Sequence, residues 1–208
     1  MSQTTAGSQE SLMNEPSETT IFDTGSIDGR VDPKTELLRA LRSHPRTVPP
    51  RWLYDDRGSE LYSQITRLPE YYQTEAERSI LEANAAMIAE ITGATTVIEL
   101  GSGTSDKTRT LLDAFVAHGS IARFAPLDVS EATLIEAAEM LGERYPDLEV
   151  APVVGDFNRH LRRLPSGGTR LVAFLGGTIG NFYQEERRAF LGALSSVRSP
   201  TCSNRVTG

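Results

Sequence analysis

The chain has 208 residues, 38% of them hydrophobic, and a formal net charge of −7 at neutral pH. This length suffices for one hydrophobic core, and no apolar run approaches the length of a transmembrane helix. An acidic chain without a stripe of Lys and Arg argues against nucleic acid as the main partner. The lone cysteine, Cys202, excludes an internal disulfide and favours a reducing, cytoplasmic compartment. Three scattered histidines, His44, His118 and His160, are predicted to be surface residues rather than metal ligands.

The N-terminal part of the chain predicts a tail followed by helices. Residues 1–33 are rich in Ser, Thr, Glu and Gln and lack the apolar region of a secretory signal, so we expect them to be disordered. Residues 34–92 contain apolar positions at helical spacing and are predicted to form a helical segment. Within it, Thr74 and Glu77 have the spacing of a capping box at the start of a long helix.

A strand, a glycine turn and a helix follow one another in residues 95–115, TTVIELGSGTSDKTRTLLDAF. Gly101 and Gly103 allow the backbone to turn tightly and to approach a ligand closely. A dinucleotide fingerprint and a phosphate-binding P-loop would each need glycine at position 106, where Asp106 would instead repel phosphate. Glu99, at the end of the strand that leads into the turn, favours a cationic nucleoside such as S-adenosylmethionine. The alternative is a turn that serves the chain topology alone.

Two further predicted strands end in residues that suit a nucleoside. The strand RFAPL ends at Asp128, where a doubly wound fold places the acid that binds ribose hydroxyls. Capping of the next helix is the alternative role, although Ser130 is the better cap. The strand LEVAPVV leads to Asp156 and Phe157, which offer a carboxylate to an adenine amino group and a ring for stacking. An ordinary turn is the alternative there.

The apolar run RLVAFLGGTIGNF predicts a fourth strand that is buried on both faces and lies beside the first strand. Small molecules bind at the carboxyl edge of such parallel sheets, so Asn181 among its glycines is a candidate substrate ligand. A turn or capping asparagine is the alternative. The alternation of four strands with helices predicts an α/β, doubly wound, mostly parallel Rossmann-like fold.

Four runs of sequence together resemble a known family: WLYDDRGSELYSQITRLPEYYQTEAERSIL, VIELGSGTSDKTRTLLDA, GDF and FLGGTIGN. Over residues 45–196 the chain is similar to the histidine-specific S-adenosylmethionine-dependent methyltransferases. The resemblance implies a class I methyltransferase fold, S-adenosyl-L-methionine as cofactor and L-histidine as the small-molecule substrate. The implied reaction methylates the α-amino group to trimethylhistidine, in ergothioneine biosynthesis. A methyltransferase for another amino acid or small amine, and an inactive fragment of the family, are the alternatives.

The resemblance also implies roles for individual residues. The cofactor-binding residues would be Gly101, Lys107, Asp128, Asp156 and Phe157. The histidine-binding residues would be Tyr54, Tyr71, Gly176 and Asn181. We assign no general base and no metal ligand from the sequence, and nothing in it indicates an obligate protein partner, a nucleic acid or a membrane as binding partner.

The resemblance divides the chain into a helical segment, 34–92, that contributes to the substrate site, and a cofactor-binding core, 93–196. Family members continue beyond the helix QEERRAFLGALSSV with further strands and a lid. Residues 197–208 resemble nothing in the family. This favours a frameshift, an early stop or a partial gene model over a compact variant, and it predicts a sheet that is incomplete at its C-terminal side.

Overall fold

A computed structural model of the chain describes residues 22–23, 33–48, 50–53, 56–105 and 107–196. The predicted ligand Tyr54 and the C-terminal segment 197–208 lie outside the described residues, as does most of the predicted tail 1–33. No helix in the described part of the chain has the length and apolar character of a membrane span.

A parallel sheet forms the centre of the structure. Its strands are β1 (Phe22–Asp23), β2 (Thr96–Leu100), β3 (Arg123–Asp128), β4 (Glu149–Val150), β5 (Val153–Val154) and β6 (Arg170–Ala173). The described strands are arranged in the order β1-β5-β3-β2-β6, and β4 also pairs with β3. Because β3 lies on one side of β2 and β6 on the other, the winding changes direction at β2. The doubly wound sheet and the pairing of the fourth predicted strand with the first are confirmed, and the carboxyl end of β2 is where such folds bind ligands.

Helices cover both faces of this sheet. The α-helices are α1 (Pro33–Arg42), α2 (Asp56–Ile65), α3 (Gln73–Thr92), α4 (Thr108–His118), α5 (Glu131–Arg144), α6 (Phe157–His160) and α7 (Gln184–Ser196). Short 3-10 helices span Pro50–Leu53, Leu161–Arg163 and Thr178–Asn181.

The alternation of side chains along β2 divides the core into two clusters. Val97 packs with residues of α3, α4 and α5, including Phe115, whereas Ile98 and Leu100 pack with Phe190 of α7. Successive side chains of a strand point to opposite faces, so the two clusters lie on opposite sides of the sheet. Every residue of β2 is buried, as the continuous apolar pattern of a central parallel strand requires.

The third predicted strand is divided into β4 and β5. The N–H of Ala151 still donates to the carbonyl of Phe124 (2.8 Å), but Pro152 has no N–H to continue the ladder. Pairing with β3 resumes at Val153. The strand was therefore predicted at the right place, with an interruption that the proline explains.

The two predicted helix starts have different outcomes. Ser130 does cap α5, because its side chain accepts a hydrogen bond from the N–H of Thr133. The capping box at Thr74 is wrong: α3 begins after Tyr72, which makes no side-chain capping bond, and Thr74 lies inside the first turn. Glu77 is consequently free of a capping role, and its carboxylate contacts other elements.

Candidate active site

The glycine turn after β2 is held against the end of β3. Gly101 (φ +68°) and Gly103 (φ +51°) adopt the left-handed conformation that favours glycine. The carbonyl of Leu127 accepts the N–H of Gly101 at 2.8 Å and that of Ser102 at 3.2 Å. A Cβ atom at Gly101 would lie 3.7 Å from Cε1 of Phe157, whereas one at Gly103 would meet nothing within 4 Å. The turn therefore lies beside the Phe157 ring and is open at Gly103.

Asp128, at the end of β3, binds two backbone groups. Its Oδ2 accepts the N–H of Gly103 (3.0 Å), and its Oδ1 accepts the N–H of Ser130 (3.0 Å). Asp128 therefore has a role that neither predicted alternative, ribose binding or helix capping, included: it fixes the glycine turn. Each carboxylate oxygen can accept a further hydrogen bond, which leaves capacity for a ligand hydroxyl.

Asp156 and Phe157 follow β5 and lie at the same carboxyl edge of the sheet as the glycine turn. Asp156 caps the short helix α6, because its Oδ1 accepts the N–H of Asn158 at 2.8 Å. The Phe157 ring packs edge-on against Phe174, with ring centroids 5.1 Å apart, and also contacts Phe182 and Phe190. The predicted adenine-stacking ring is thus fixed by an aromatic cluster on one side and borders the glycine turn on another.

His160 orients the loop that contains Asp156. The prediction of a surface histidine is wrong for this residue, which is 8% exposed, because α6 turns its ring under Gly155. Its Nδ1 accepts the N–H of Asp156 at 2.9 Å, so the ring acts here as a neutral acceptor. The sequence contains no motif from which this contact of His160 could have been predicted.

Replacing His160 by alanine should destabilise the protein by about 1–3 kcal/mol, because the N–H of Asp156 loses its acceptor. His160→Asn is the matched variant, since its carbonyl oxygen can approach the position of Nδ1 and should recover part of the loss. Urea unfolding of both variants measures the difference. Equal losses in the two variants would show that packing, not the hydrogen bond, is what His160 contributes.

A cleft of about 370 Å³, within the size range of small-molecule sites, lies among α2, the start of α3, Lys107 and the turn after β6. It is lined by Tyr62, Tyr71, Gln73, Thr74, Glu77, Lys107, Gly176, Gly177, Thr178 and Asn181. Among the predicted ligands, the cleft brings together Tyr71, Gly176, Asn181 and Lys107. The other predicted cofactor residues do not line it and lie instead at the carboxyl ends of β2, β3 and β5. Three of the four predicted substrate residues and one predicted cofactor residue therefore share a cavity.

Tyr62 is a residue of this cleft for which the sequence predicted no role in binding. Its ring packs edge-to-face on that of Tyr71, with centroids 6.1 Å apart and an interplanar angle of 83°. The two hydroxyl groups lie 3.4 Å apart. Tyr62 lies in the same sequence run as Tyr71. Because it has helical spacing from the other apolar residues of α2, its sequence position indicates packing rather than ligand binding.

Glu77, which the sequence indicated only as part of a capping box, connects two walls of the cleft. Its Oε2 forms an ion pair with Nζ of Lys107, and its Oε1 accepts the N–H of Gly176 at 2.8 Å. The pair is half-buried, with Lys107 24% and Glu77 26% exposed. Because Gly176 follows β6 and Lys107 precedes α4, one carboxylate of α3 holds two loops that are distant in sequence.

Glu99 places a buried acid beneath the glycine turn. Its carboxyl group is 4% exposed, and burial raises its pKa to about 7 despite the lowering effects of Thr108, Lys107 and Ser105. The hydroxyls of Thr108 and Ser105 face it without making hydrogen bonds of ordinary geometry, and its Oε2 has no partner. A carboxyl group in this state would become more acidic beside a cation. The region thus has the electrostatic character that suits a positively charged nucleoside.

Comparison with known proteins decides the family. Residues 33–204 match the family described as histidine-specific methyltransferase, SAM-dependent. The chain belongs to this family. The resemblance that the sequence motifs indicated is thereby confirmed, and S-adenosylmethionine is the cofactor of the family.

Two relatives and one solved structure illustrate the similarity. Histidine N-alpha-methyltransferase of Mycobacterium tuberculosis is 47% identical over 85% of this chain and 55% of its own length. Ergothioneine biosynthesis protein 1 of Schizosaccharomyces pombe is 35% identical over 72% of this chain and 21% of its own length. The chain therefore spans about half the length of the mycobacterial relative.

The solved structure supports the fold alone. Magnesium protoporphyrin IX methyltransferase from Synechocystis PCC 6803, crystallised with bound SAH, superposes with a TM-score of 0.51 and 17% identity. The match covers 71% of this chain and 65% of that one. This confirms the predicted Rossmann-like methyltransferase architecture.

Proposed function

We propose that this chain forms the donor-binding core and part of the acceptor site of an N-methyltransferase that methylates the α-amino group of L-histidine. The observation that supports it most is the cleft that Lys107, Tyr71 and Asn181 line together. A residue with a predicted cofactor role and three with predicted substrate roles share one cavity, as direct transfer between two bound molecules requires. The 47% identity to a histidine N-alpha-methyltransferase supports the choice of substrate.

The residues at the carboxyl edge of the sheet fit S-adenosylmethionine. Gly101 and Gly103 provide an open turn, Asp128 retains acceptor capacity for ribose hydroxyls, and Phe157 provides a ring beside the turn. Asp156 would accept from the adenine amino group, and Lys107 would bind the cofactor carboxylate. Glu99, whose pKa burial raises to about 7, would lose its proton more readily beside a cationic sulfur, so the site would gain negative charge when a cation binds.

The acceptor site takes shape between the helical segment and the loop after β6. Tyr71 precedes α3, and Gly176 and Asn181 belong to the turn and 3-10 helix that follow β6. We propose that Tyr71 and Asn181 bind polar groups of histidine, with Tyr54 and Gly176 lining the same site. The segment 34–92 would then contribute to the acceptor site, and the core 93–196 would bind the donor and add Gly176 and Asn181 to the acceptor site.

The chemistry we propose is direct transfer, for which the bound cofactor supplies a methyl group on a positively charged sulfur. The chain's residues would hold the neutral amine, which has lost a proton to solvent, in line with that methyl group. The nitrogen–carbon bond would form as the carbon–sulfur bond breaks, with S-adenosylhomocysteine as the leaving group. Alignment of two bound reactants can lower the barrier by about 7–11 kcal/mol, so positioning supplies most of the effect. The described residues contain no cluster of His, Cys, Asp and Glu able to hold a metal ion.

Incubation with labelled S-adenosylmethionine and L-histidine tests the proposal. The expected products are mono-, di- and trimethylhistidine, identified by mass spectrometry. Tryptophan and putrescine are the comparison substrates. Preferential methylation of either would show that it, and not histidine, is the acceptor. Absence of product from all three, alongside measurable binding of the cofactor, would restrict this chain to donor binding.

Tyr71→Phe should raise the KM for histidine by about 3- to 10-fold, since a hydrogen bond of about 1 kcal/mol is lost. The phenyl ring retains the edge-on contact with Tyr62, so the fold of the cleft should persist. Tyr72→Phe is the control, because the neighbouring tyrosine is 68% exposed. Steady-state kinetics measure both variants, and equal KM values for the two would exclude Tyr71 as a histidine ligand.

A further inference from the structure

Glu77 occupies a position between the donor and acceptor halves of the proposed site. Lys107, which its Oε2 contacts, stands at the start of α4, immediately after the glycine turn. Gly176, whose N–H its Oε1 accepts, stands at the start of the turn that leads to Asn181. One carboxylate oxygen of Glu77 thus contacts the donor half of the site, and the other contacts the acceptor half.

The bond from Glu77 reaches a turn that begins with two glycines. Gly176 (φ +82°) and Gly177 (φ +74°) both adopt the left-handed conformation before the 3-10 helix Thr178–Asn181. A Cβ atom at Gly176 would lie 3.4 Å from Nζ of Lys107, so the turn and the ammonium group are already in close contact. A shift of the Lys107 ammonium group would therefore change its contacts with both Glu77 and the turn.

This ion pair differs from the others on α3. Glu75 pairs with Arg78 along the same helix at 3.4 Å, and these side chains are 75% and 42% exposed. Exposed pairs within one helix contribute little and connect nothing distant. Glu77 instead connects residues 30 and 99 positions away in sequence, from a half-buried position in the cleft.

We propose that Glu77 is a positioning residue that couples donor binding to acceptor binding. This inference rests on the proposed function. When the donor carboxylate binds Lys107, the ammonium group is shared between two carboxylates and shifts relative to Glu77. Glu77 transmits that shift through its bond to Gly176, and the turn then presents Asn181 to the acceptor. Coupling of this kind is reciprocal, so histidine must tighten donor binding by the same factor.

The coupling is measured with the inert product S-adenosylhomocysteine and L-histidine as probes. Calorimetry gives the Kd of S-adenosylhomocysteine without histidine and with saturating histidine, and the ratio of the two is the coupling factor. For the wild-type chain we expect a factor of about 5 or more. Glu77→Gln keeps an oxygen for the Gly176 N–H but has no charge for Lys107, so its factor should fall to within about twofold of unity.

Glu75→Gln is the matched control on the same helix and should retain the wild-type factor. Circular dichroism and the melting temperature establish that each variant is folded. Glu77→Ala, which loses both contacts, should match Glu77→Gln in its loss of coupling. A change in melting temperature without a change in the coupling factor would identify Glu77 as a merely structural residue and overturn the inference.

Failure of this inference is distinguishable from failure of the proposed function. Methylated histidine produced by a wild-type chain with a coupling factor near unity would overturn the coupling and leave the function in place. A folded Glu77→Gln variant with the wild-type factor would do the same. If the wild-type chain binds neither probe, both proposals are overturned.

Discussion

Replacing Glu99 by glutamine should stabilise the ligand-free protein at pH 8 by about 3 kcal/mol, because the variant has no buried carboxyl group to ionise. Burial raises the pKa of Glu99 from 4.5 to about 7. In the unfolded chain the same group ionises near its ordinary pKa. The folded state therefore holds the proton more tightly than the unfolded state across this interval.

The sign of the pH dependence follows from that difference. Well below pH 4.5 the carboxyl group of Glu99 is protonated in both states, so its ionisation does not lower the free energy of unfolding. As the pH rises towards 7 the unfolded chain loses the proton first, so the free energy of unfolding of the wild-type protein falls. Above that pH the contribution of Glu99 no longer changes.

Urea unfolding between pH 5 and pH 8 measures this effect in wild-type and Glu99→Gln proteins. The wild-type curve should decline relative to that of the variant. Glu82→Gln is the control, because Glu82 is an exposed carboxylate on α3, and its curve should follow the wild type. Parallel curves for the wild type and Glu99→Gln would show that Glu99 is ionised normally in the folded protein.

Asp128→Ala should weaken binding of S-adenosylhomocysteine by about 1–3 kcal/mol, or about 5- to 150-fold. Two effects contribute to this expectation. The variant loses the acceptor for the N–H of Gly103, which orders the glycine turn, and it loses the proposed acceptor for ribose hydroxyls. Calorimetry measures the affinity, and Asp147→Ala, at an exposed position, is the control.

A ligand without the ribose hydroxyls separates the two effects. For the 2′,3′-dideoxy analogue of S-adenosylhomocysteine, Asp128→Ala should cost less than for the parent ligand, because the direct contact is already absent. Equal costs for the two ligands would assign Asp128 to the turn alone. An affinity that Asp128→Ala leaves unchanged for both ligands would contradict either role.

Much of the fold follows from short-range patterns. The apolar run before Gly101 predicts a buried parallel strand, and the structure has β2 there with every residue buried. Ser130 followed by an amphipathic run predicts the start of α5, and its side chain caps that helix. These predictions succeed because strand burial and helix capping depend on residues within a few positions of each other.

The sequence by itself determined the α/β architecture, the glycine turn and the family, since each depends on a local pattern or a contiguous motif. Only the tertiary structure decided what Glu77 and His160 do. The sequence spacing of Glu77 from Thr74 predicted a capping box, but the packing of α3 beside α4 and β6 gives its carboxylate two partners distant in sequence. His160 is buried because α6 folds back under Gly155. The two contacts of Glu77 are fixed by the packing of whole elements, which no local pattern of residues specifies. The contact of His160 spans only four positions, but no capping or turn motif predicts it.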